Sequence, residues 1–361
     1  MNKVRPIAIH LPQFHPFKEN NEWWGEGFTE WTNVTKARPR FDGHYQPHLP
    51  TETGLYDLRV PEVREMQASM ALAHGIEGFC YYHYWFNGKR LMNQPLDEIL
   101  KSKKPDFPFM FCWANENWSR RWDGEDSQLL IKQDYSTEDD IQHIRFLGES
   151  FFKDDRYIKV EGKPFFVVYR PANFPDIKKT AELWRYEMYK MGFKGIYLGY
   201  MNGFDYKKDP KDIGFDCAID FQPDFYSFPK PVNNYMTFWE KIGLKKYRPN
   251  NRVDRHFDYL QIMDIMLRNW KSKSYKIYPS LFPMWDNSAR RKKGAEIIIN
   301  SSPDAYENWL SEILRSFKPY TNEENFIFIN AWNEWAEGNH LEPCVKYGNQ
   351  YLEVTRNVLK K

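Results

Sequence analysis

The stretch Phe326-Ile327-Phe328-Ile329-Asn330-Ala331-Trp332-Asn333-Glu334-Trp335-Ala336-Glu337-Gly338 runs from an unbroken apolar strand into two carboxylates set among indoles. A run that is apolar at every position is buried on both faces, as in a parallel sheet covered by helices. Ionisable groups at the tip of such a strand are costly, since even a neutral polar group buried without a partner loses roughly 2–7 kcal/mol. Function is the ordinary reason to keep them.

Working outward, runs of the same kind occur at 6–11, 78–85, 108–114, 164–169, 195–200, 217–221 and 277–282, each bounded by turn chemistry and followed by a helical or long irregular stretch. Helix signals fill the gaps. Ser302-Pro303-Asp304 supplies an N-cap and first turn for a stripe of Trp309, Leu310, Ile313, Leu314 and Phe317. Pro61 opens a helix that Gly75 closes, Thr137-Glu138 opens another, and 180–191 is closed by Gly192. With the 326–332 strand, these repeats predict an α/β fold: a (β/α)8 TIM barrel with long loops after strands one, six and seven, residues 1–361 forming one catalytic domain.

In such barrels the site is built at the C-terminal strand ends, and there the hydrogen-bonding and aromatic side chains collect. The expected substrate surface draws His10 and Gln13 from strand one and Trp24, Glu30 and Trp31 from the Trp-rich loop 12–60. Strand two contributes His83, Tyr84 and Trp85, strand three Asn115, Glu116 and Trp118, and strand four Tyr169. Strands six to eight add Asp220, Gln222, Trp285, Trp332 and Asn333.

Composition narrows the partner. Lys and Arg number 51 against 49 Asp and Glu, a balance that argues against nucleic acid or an anionic membrane. Aromatic residues make up 18% of the chain, many beside His, Asn, Gln or carboxylates. That mixture suits an oligosaccharide or polysaccharide, whose C–H faces lie on rings and whose hydroxyls meet planar polar groups. Cys80, Cys112, Cys217 and Cys344 lack metal or redox spacing, and the histidines form no ligand set on one helix face, so neither a metal nor another cofactor is expected. There is no run of 18 apolar residues and no leader pattern before the first strand, which predicts a cytoplasmic chain as written, or a periplasmic or secreted one if a leader has been removed.

Glycosyl transfer through an oxocarbenium-like transition state needs an acid for the departing oxygen and a carboxylate as nucleophile or base. Glu334 and Glu337 can supply both, provided that the chain leaves strand geometry near Asn333. On a regular strand positions i and i+3 face opposite ways. Two carboxylates that close cannot both ionise freely, which keeps one protonated near neutral pH.

The segment from Trp332 to Pro343, with Trp332-Asn333-Glu334-Trp335-Ala336-Glu337-Gly338 and Glu342-Pro343, resembles the W-N-E-W-x-E-G-x-x-x-E-P signature of WbsX-type proteins, which are named as glycosyltransferases and related to glycoside hydrolase family 99. The resemblance extends through Ile9-His10-Leu11-Pro12-Gln13-Phe14-His15-Pro16, the Trp23–Val34 segment, Gly78–Phe86 and Trp113-Ala114-Asn115-Glu116-Asn117-Trp118. It implies a (β/α)8 barrel and a retaining endo-α-mannosidase-like chemistry. Glu334 would be the base that takes the proton of the substrate's own 2-hydroxyl to give a 1,2-anhydro sugar, and Glu337 the acid for the leaving group. The N-terminal motifs differ from those of the hydrolase family, which leaves the sugar open.

A glycosyltransferase of O-antigen or capsule assembly is the alternative, although Asp-x-Asp and Rossmann glycines are missing and only Arg170 and Arg120-Arg121 stand ready for a diphosphate. An inactive glycan-binding barrel is a further reading. The basic run Ala289-Arg290-Arg291-Lys292-Lys293-Gly294 reads first as a solvated surface, and second as a contact for phosphate or acidic sugars.

Overall fold

The computed structural model describes residues 4–119, 129–204, 206–233 and 253–360; Arg120 and Arg121 lie outside them. Parallel strands β1 (Arg5–His10), β2 (Gly78–Phe86), β3 (Phe109–Trp113), β4 (Lys163–Val168), β5 (Tyr197–Met201) and β6 (Cys217–Ile219) pair in chain order, and β8 (Phe326–Ile329) lies on the other side of β1. Between β6 and β8 runs β7, in two halves. Ile277–Tyr278 pairs with Ala218 and Ile219, while Ser280–Leu281 pairs with Phe328 and Ile329. Pro279 interrupts it, because proline has no N–H for the ladder; its carbonyl still accepts from Phe328 N at 2.9 Å. The ring of eight strands is thereby closed into a (β/α)8 barrel.

The helices form where their signals stand. Pro61–Ala73 begins on its proline and is followed by Gly75 at φ +83°, and Pro303–Ser316 is capped by the Ser302 side chain accepting from Ala305 N. The helix expected from residue 180 starts earlier, at Ile177, because the Asp176 carboxylate takes the Lys179 N–H. No helix of the described residues is long and apolar enough to cross a membrane.

Side-chain parity along the strands decides what reaches the site. Phe165, Tyr197, Tyr278 and Phe326 fill the N-terminal half of the barrel with rings, Phe165 lying 4.9 Å from Tyr197 and 5.3 Å from Phe326 between centroids. Four positions beyond Phe165 and four beyond Phe326, Tyr169 and Asn330 line an open cavity of about 700 Å³ at the C-terminal strand ends. This volume lies within the range of ligand sites.

Candidate active site

The chain leaves β8 and returns on itself within a few residues. Asn333-Glu334 pairs antiparallel with Asn339-His340, and the 3-10 turn Trp335–Glu337 between them brings both glutamates to the cavity. Gly338 makes the turn possible: its φ is +54°, and a Cβ there would stand 3.0 Å from the Asp286 backbone oxygen. The same contact joins two loops, since Asp286 N donates to the Glu337 carbonyl at 2.7 Å. Gly338→Ala is expected to cost about 1–2 kcal/mol for the left-handed conformation and a further ~1–3 kcal/mol for crowding. Chemical denaturation would register the loss, and an unchanged midpoint would mean that the turn relaxes freely.

Behind the turn stands Glu342, buried and held by four donors: Tyr56 Oη at 2.8 Å, Gln67 Nε2 at 2.6 Å, Trp332 Nε1 at 3.0 Å and Trp335 Nε1 at 2.7 Å. Burial pushes its carboxyl up to about 7, while the four donors favour the anion. Asn333 is pinned to the end of β1, accepting from Leu11 N at 2.8 Å and donating to Leu11 O at 3.0 Å. Trp332 and Asn333 therefore fix the backbone around Glu334, and neither reaches the cavity.

Arg290 is the centre of the charge arrangement. Its Nη1 lies 2.5 Å from Glu337 Oε1, and its Nη2 lies 3.0 Å from Glu334 Oε2 and 3.2 Å from Glu30 Oε2. Three carboxylates thus share one buried guanidinium, and they cannot all ionise without leaving uncompensated charge. Burial, reinforced by the Glu337 charge and opposed by Arg290, pushes Glu334 up to about 8. Glu337 is raised as well, again chiefly by burial. Arg290 stays charged: burial acts to lower its pKa, but Glu30, Glu337 and Glu334 together raise it above the ordinary value. The pair accordingly holds a proton at neutral pH, which is the state acid and base work requires.

Of the residues expected from the sequence, Trp24, Tyr84, Glu116, Trp118, Tyr169, Trp285, Glu334 and Glu337 line the cavity together. The others stand behind it, for reasons of parity or bracing. On β2, Tyr82 and Tyr84 point in, so His83 and Trp85 point out: His83 meets His143 at 3.0 Å, and Trp85 Nε1 donates to Asp139 at 2.9 Å. After β6, Phe221 and Pro223 line the wall, while Asp220 and Gln222 bond to each other behind it at 3.0 Å. Burial pushes the Asp220 carboxyl up to about 7. His10 bonds Gln67 at 3.2 Å, Gln13 is buried, and Trp31 donates to the Tyr56 carbonyl at 2.7 Å. Asn115 clamps Arg170 through its backbone N and O at 2.7 and 2.8 Å, and Glu30 acts through Arg290.

Sequence reasoning overlooked Arg255, Glu296, Phe204, Phe225 and Tyr226, all on the cavity wall, and read Arg290 within its basic run as solvated surface or a contact for phosphate or acidic sugars, not as the partner of the glutamates. The signal for Arg290 was its place just beyond strand seven. A basic run there faces the carboxylates of strand eight. Among the described residues no cluster of His, Cys, Asp and Glu is arranged to hold a metal.

A sequence profile of the family described as Glycosyltransferase WbsX matches residues 6–355. The chain belongs to that family. Among similar proteins, the uncharacterized protein WxcX of Xanthomonas campestris pv. campestris strain B100 is 38% identical over 356 residues, covering 98% of this chain and 49% of WxcX. WxcX of strain ATCC 33913 matches to the same extent. The chain thus spans about half the length of these curated relatives. In structure it resembles a glycoside hydrolase-like protein, with a TM-score of 0.64, 13% identity and coverage of 99% and 94% of the two chains. The GH99 endo-α-mannosidase of Bacteroides thetaiotaomicron gives a TM-score of 0.58 at 14% identity, covering 99% of this chain and 96% of that one. At such identities the likeness is one of fold.

Proposed function

We propose that residues 1–361 form one catalytic domain of a retaining glycoside hydrolase that cleaves α-linked glycans, of mannoside or bacterial surface type. The observation that carries this reading is the Glu334–Glu337 pair, held by one guanidinium and raised in pKa at the floor of an aromatic-walled cavity. A binding barrel has no need of buried, proton-sharing carboxylates.

In the roles implied by the family resemblance, Glu334 takes the proton of the 2-hydroxyl as that oxygen attacks C1. The bond from C1 to the leaving oxygen breaks, and Glu337 gives that oxygen its proton. Water then opens the 1,2-anhydro ring at C1, losing a proton to Glu337 while Glu334 returns one to O2. Two displacements at C1 leave its configuration unchanged. The greater exposure of the Glu337 side chain, 23% against 8% for Glu334, suits the group that must meet leaving group and water.

Transfer from a sugar nucleotide is the second reading, favoured by the family's description and by arginines on the cavity wall. Incubation with a panel of α-linked bacterial and mannose-type glycans, with and without sugar nucleotides, separates the two. Cleavage without a nucleotide supports the hydrolase, nucleotide-dependent elongation the transferase, and tight binding with neither a lectin.

Truncating Trp24, Trp118 or Trp285 to Ala is expected to weaken glycan binding by ~1–3 kcal/mol, as for other buried anchors. Trp31→Ala and Trp85→Ala would chiefly destabilise the fold, because both indoles are 8% or less exposed and stand off the cavity. Calorimetric titration beside thermal melts tests the division. Equal affinity losses in both groups would refute it.

A further inference from the structure

The basic loop after β7 has a second arginine on the cavity, and the chemistry above makes no use of it. Among the described residues the wall carries four guanidiniums: Arg170, Arg255, Arg290 and Arg291. Three are neutralised. Arg170 Nε lies 3.3 Å from Glu116, Arg255 pairs with Glu296, and Arg290 holds the three-carboxylate cluster. Arg291 is exposed and its side chain forms no ion pair or hydrogen bond with the described residues, although its charge acts at longer range on the Glu296 and Glu337 carboxylates.

Its backbone is nevertheless braced. The Arg291 carbonyl accepts from Arg40 Nη2, which also donates to Ser288 O at 2.6 Å. Arg40 Nη1 is fixed by both Asp254 oxygens at 2.9 Å. The Arg291 amide donates to Asn287 O at 3.0 Å, and Asn287 Oδ1 takes the Glu296 N–H at 2.8 Å. A solvated loop arginine has no need for such anchoring, since surface loops ordinarily tolerate movement. Nearby on the same wall, Trp285 is 6% exposed and its Nε1 has no partner among the described residues.

We propose that Arg291 binds a singly charged substituent of the glycan, the carboxylate of a uronic acid or a phosphodiester, beside Asn287 and Arg255, so that the substrate is an acidic glycan. One guanidinium without a direct partner matches one anionic group in planar, two-point geometry. A nucleotide diphosphate carries more charge and would have to draw on arginines already neutralised. This inference rests on the glycan-cleaving reading and names its substrate class.

The test uses the full chain carrying Glu334→Gln, so that bound glycan is not consumed and the Glu337 carboxylate that faces Arg291 is kept. It is titrated against immobilised α-linked galacturonate trimer, the same trimer carboxyl-reduced to galactose, and an oligomannoside with and without a phosphodiester. The acidic member of one pair is expected to bind about ten- to hundred-fold tighter than its neutral counterpart, the worth of a charged hydrogen bond. Which pair responds distinguishes uronate from phosphodiester. Adding Arg291→Ala should abolish that ratio, and Arg291→Lys should restore part of it. Equal binding of acidic and neutral members, a ratio that survives Arg291→Ala, or binding of none of the four would overturn the proposal. Cleavage of a neutral glycan alone by the unmodified protein would keep the hydrolase and reject the acidic substrate. Acidic glycans bound with an Arg291-dependent ratio but never cut would do the reverse.

Discussion

Glu334→Gln and Glu337→Gln are each expected to lower kcat by ~10²–10⁴-fold, the usual loss on removing a general acid or base. The two should part company on an activated aryl glycoside. Its leaving group needs little protonation, so it rescues Glu337→Gln and hardly helps Glu334→Gln. A 2-deoxy substrate, which cannot form a 1,2-anhydro sugar, should not turn over; brisk retaining cleavage would point instead to direct attack by a carboxylate. The pH profile carries the same logic. The working pair holds one proton between its two apparent pKa values, so activity should fall on the alkaline side where that shared proton is lost, near the value of about 8 to which burial and the neighbouring charge push the pair's upper ionisation. In Glu337→Gln the neighbouring charge that helps raise Glu334 is gone, so the remaining carboxyl should ionise at lower pH. A profile unmoved in both variants would remove the pair from the chemistry.

The second large effect belongs to Arg290. Arg290→Gln leaves Glu30, Glu334 and Glu337 facing one another without the guanidinium that lies 2.5–3.2 Å from each. Removing one partner of a buried ion pair typically costs ~3–5 kcal/mol. The sign of the pH dependence is fixed: the carboxylates' folded-state pKa values rise, so the folded variant binds more protons than the unfolded chain and loses stability as pH increases. The deficit should therefore be small near pH 4 and grow with pH, becoming full only once pH has passed the Glu334 value of about 8, since losing Arg290 removes what holds that value down. Denaturant unfolding across that window measures it. A pH-independent deficit would mean that packing, not charge, is Arg290's contribution.

The difference between what could and could not be read in the sequence follows from range. The eight strands and the Glu pair were legible because strand hydrophobicity and motif spacing are local, and the expected break in strand geometry after Asn333 is the 335–337 turn. Parity was not legible. A shift of one residue reverses every side chain on a strand, so His83 and Trp85 could not be told from Tyr82 and Tyr84 until helix 137–149 was seen to cover the outer pair. Asp220 and Gln222 lie behind Phe221 and Pro223 for the same reason. Arg290 escaped because its partners are 44 and 47 positions along the chain for the glutamate pair, and 260 for Glu30. Nothing local separates it from Arg291, Lys292 and Lys293.

The most direct test of the central claim is a single-substrate reaction in ¹⁸O-water without any sugar nucleotide, followed by proton NMR and mass spectrometry. The account predicts a new reducing end that appears first as the α-anomer and carries one ¹⁸O. A β-anomer formed first, or no cleavage until a sugar nucleotide is supplied, would contradict it.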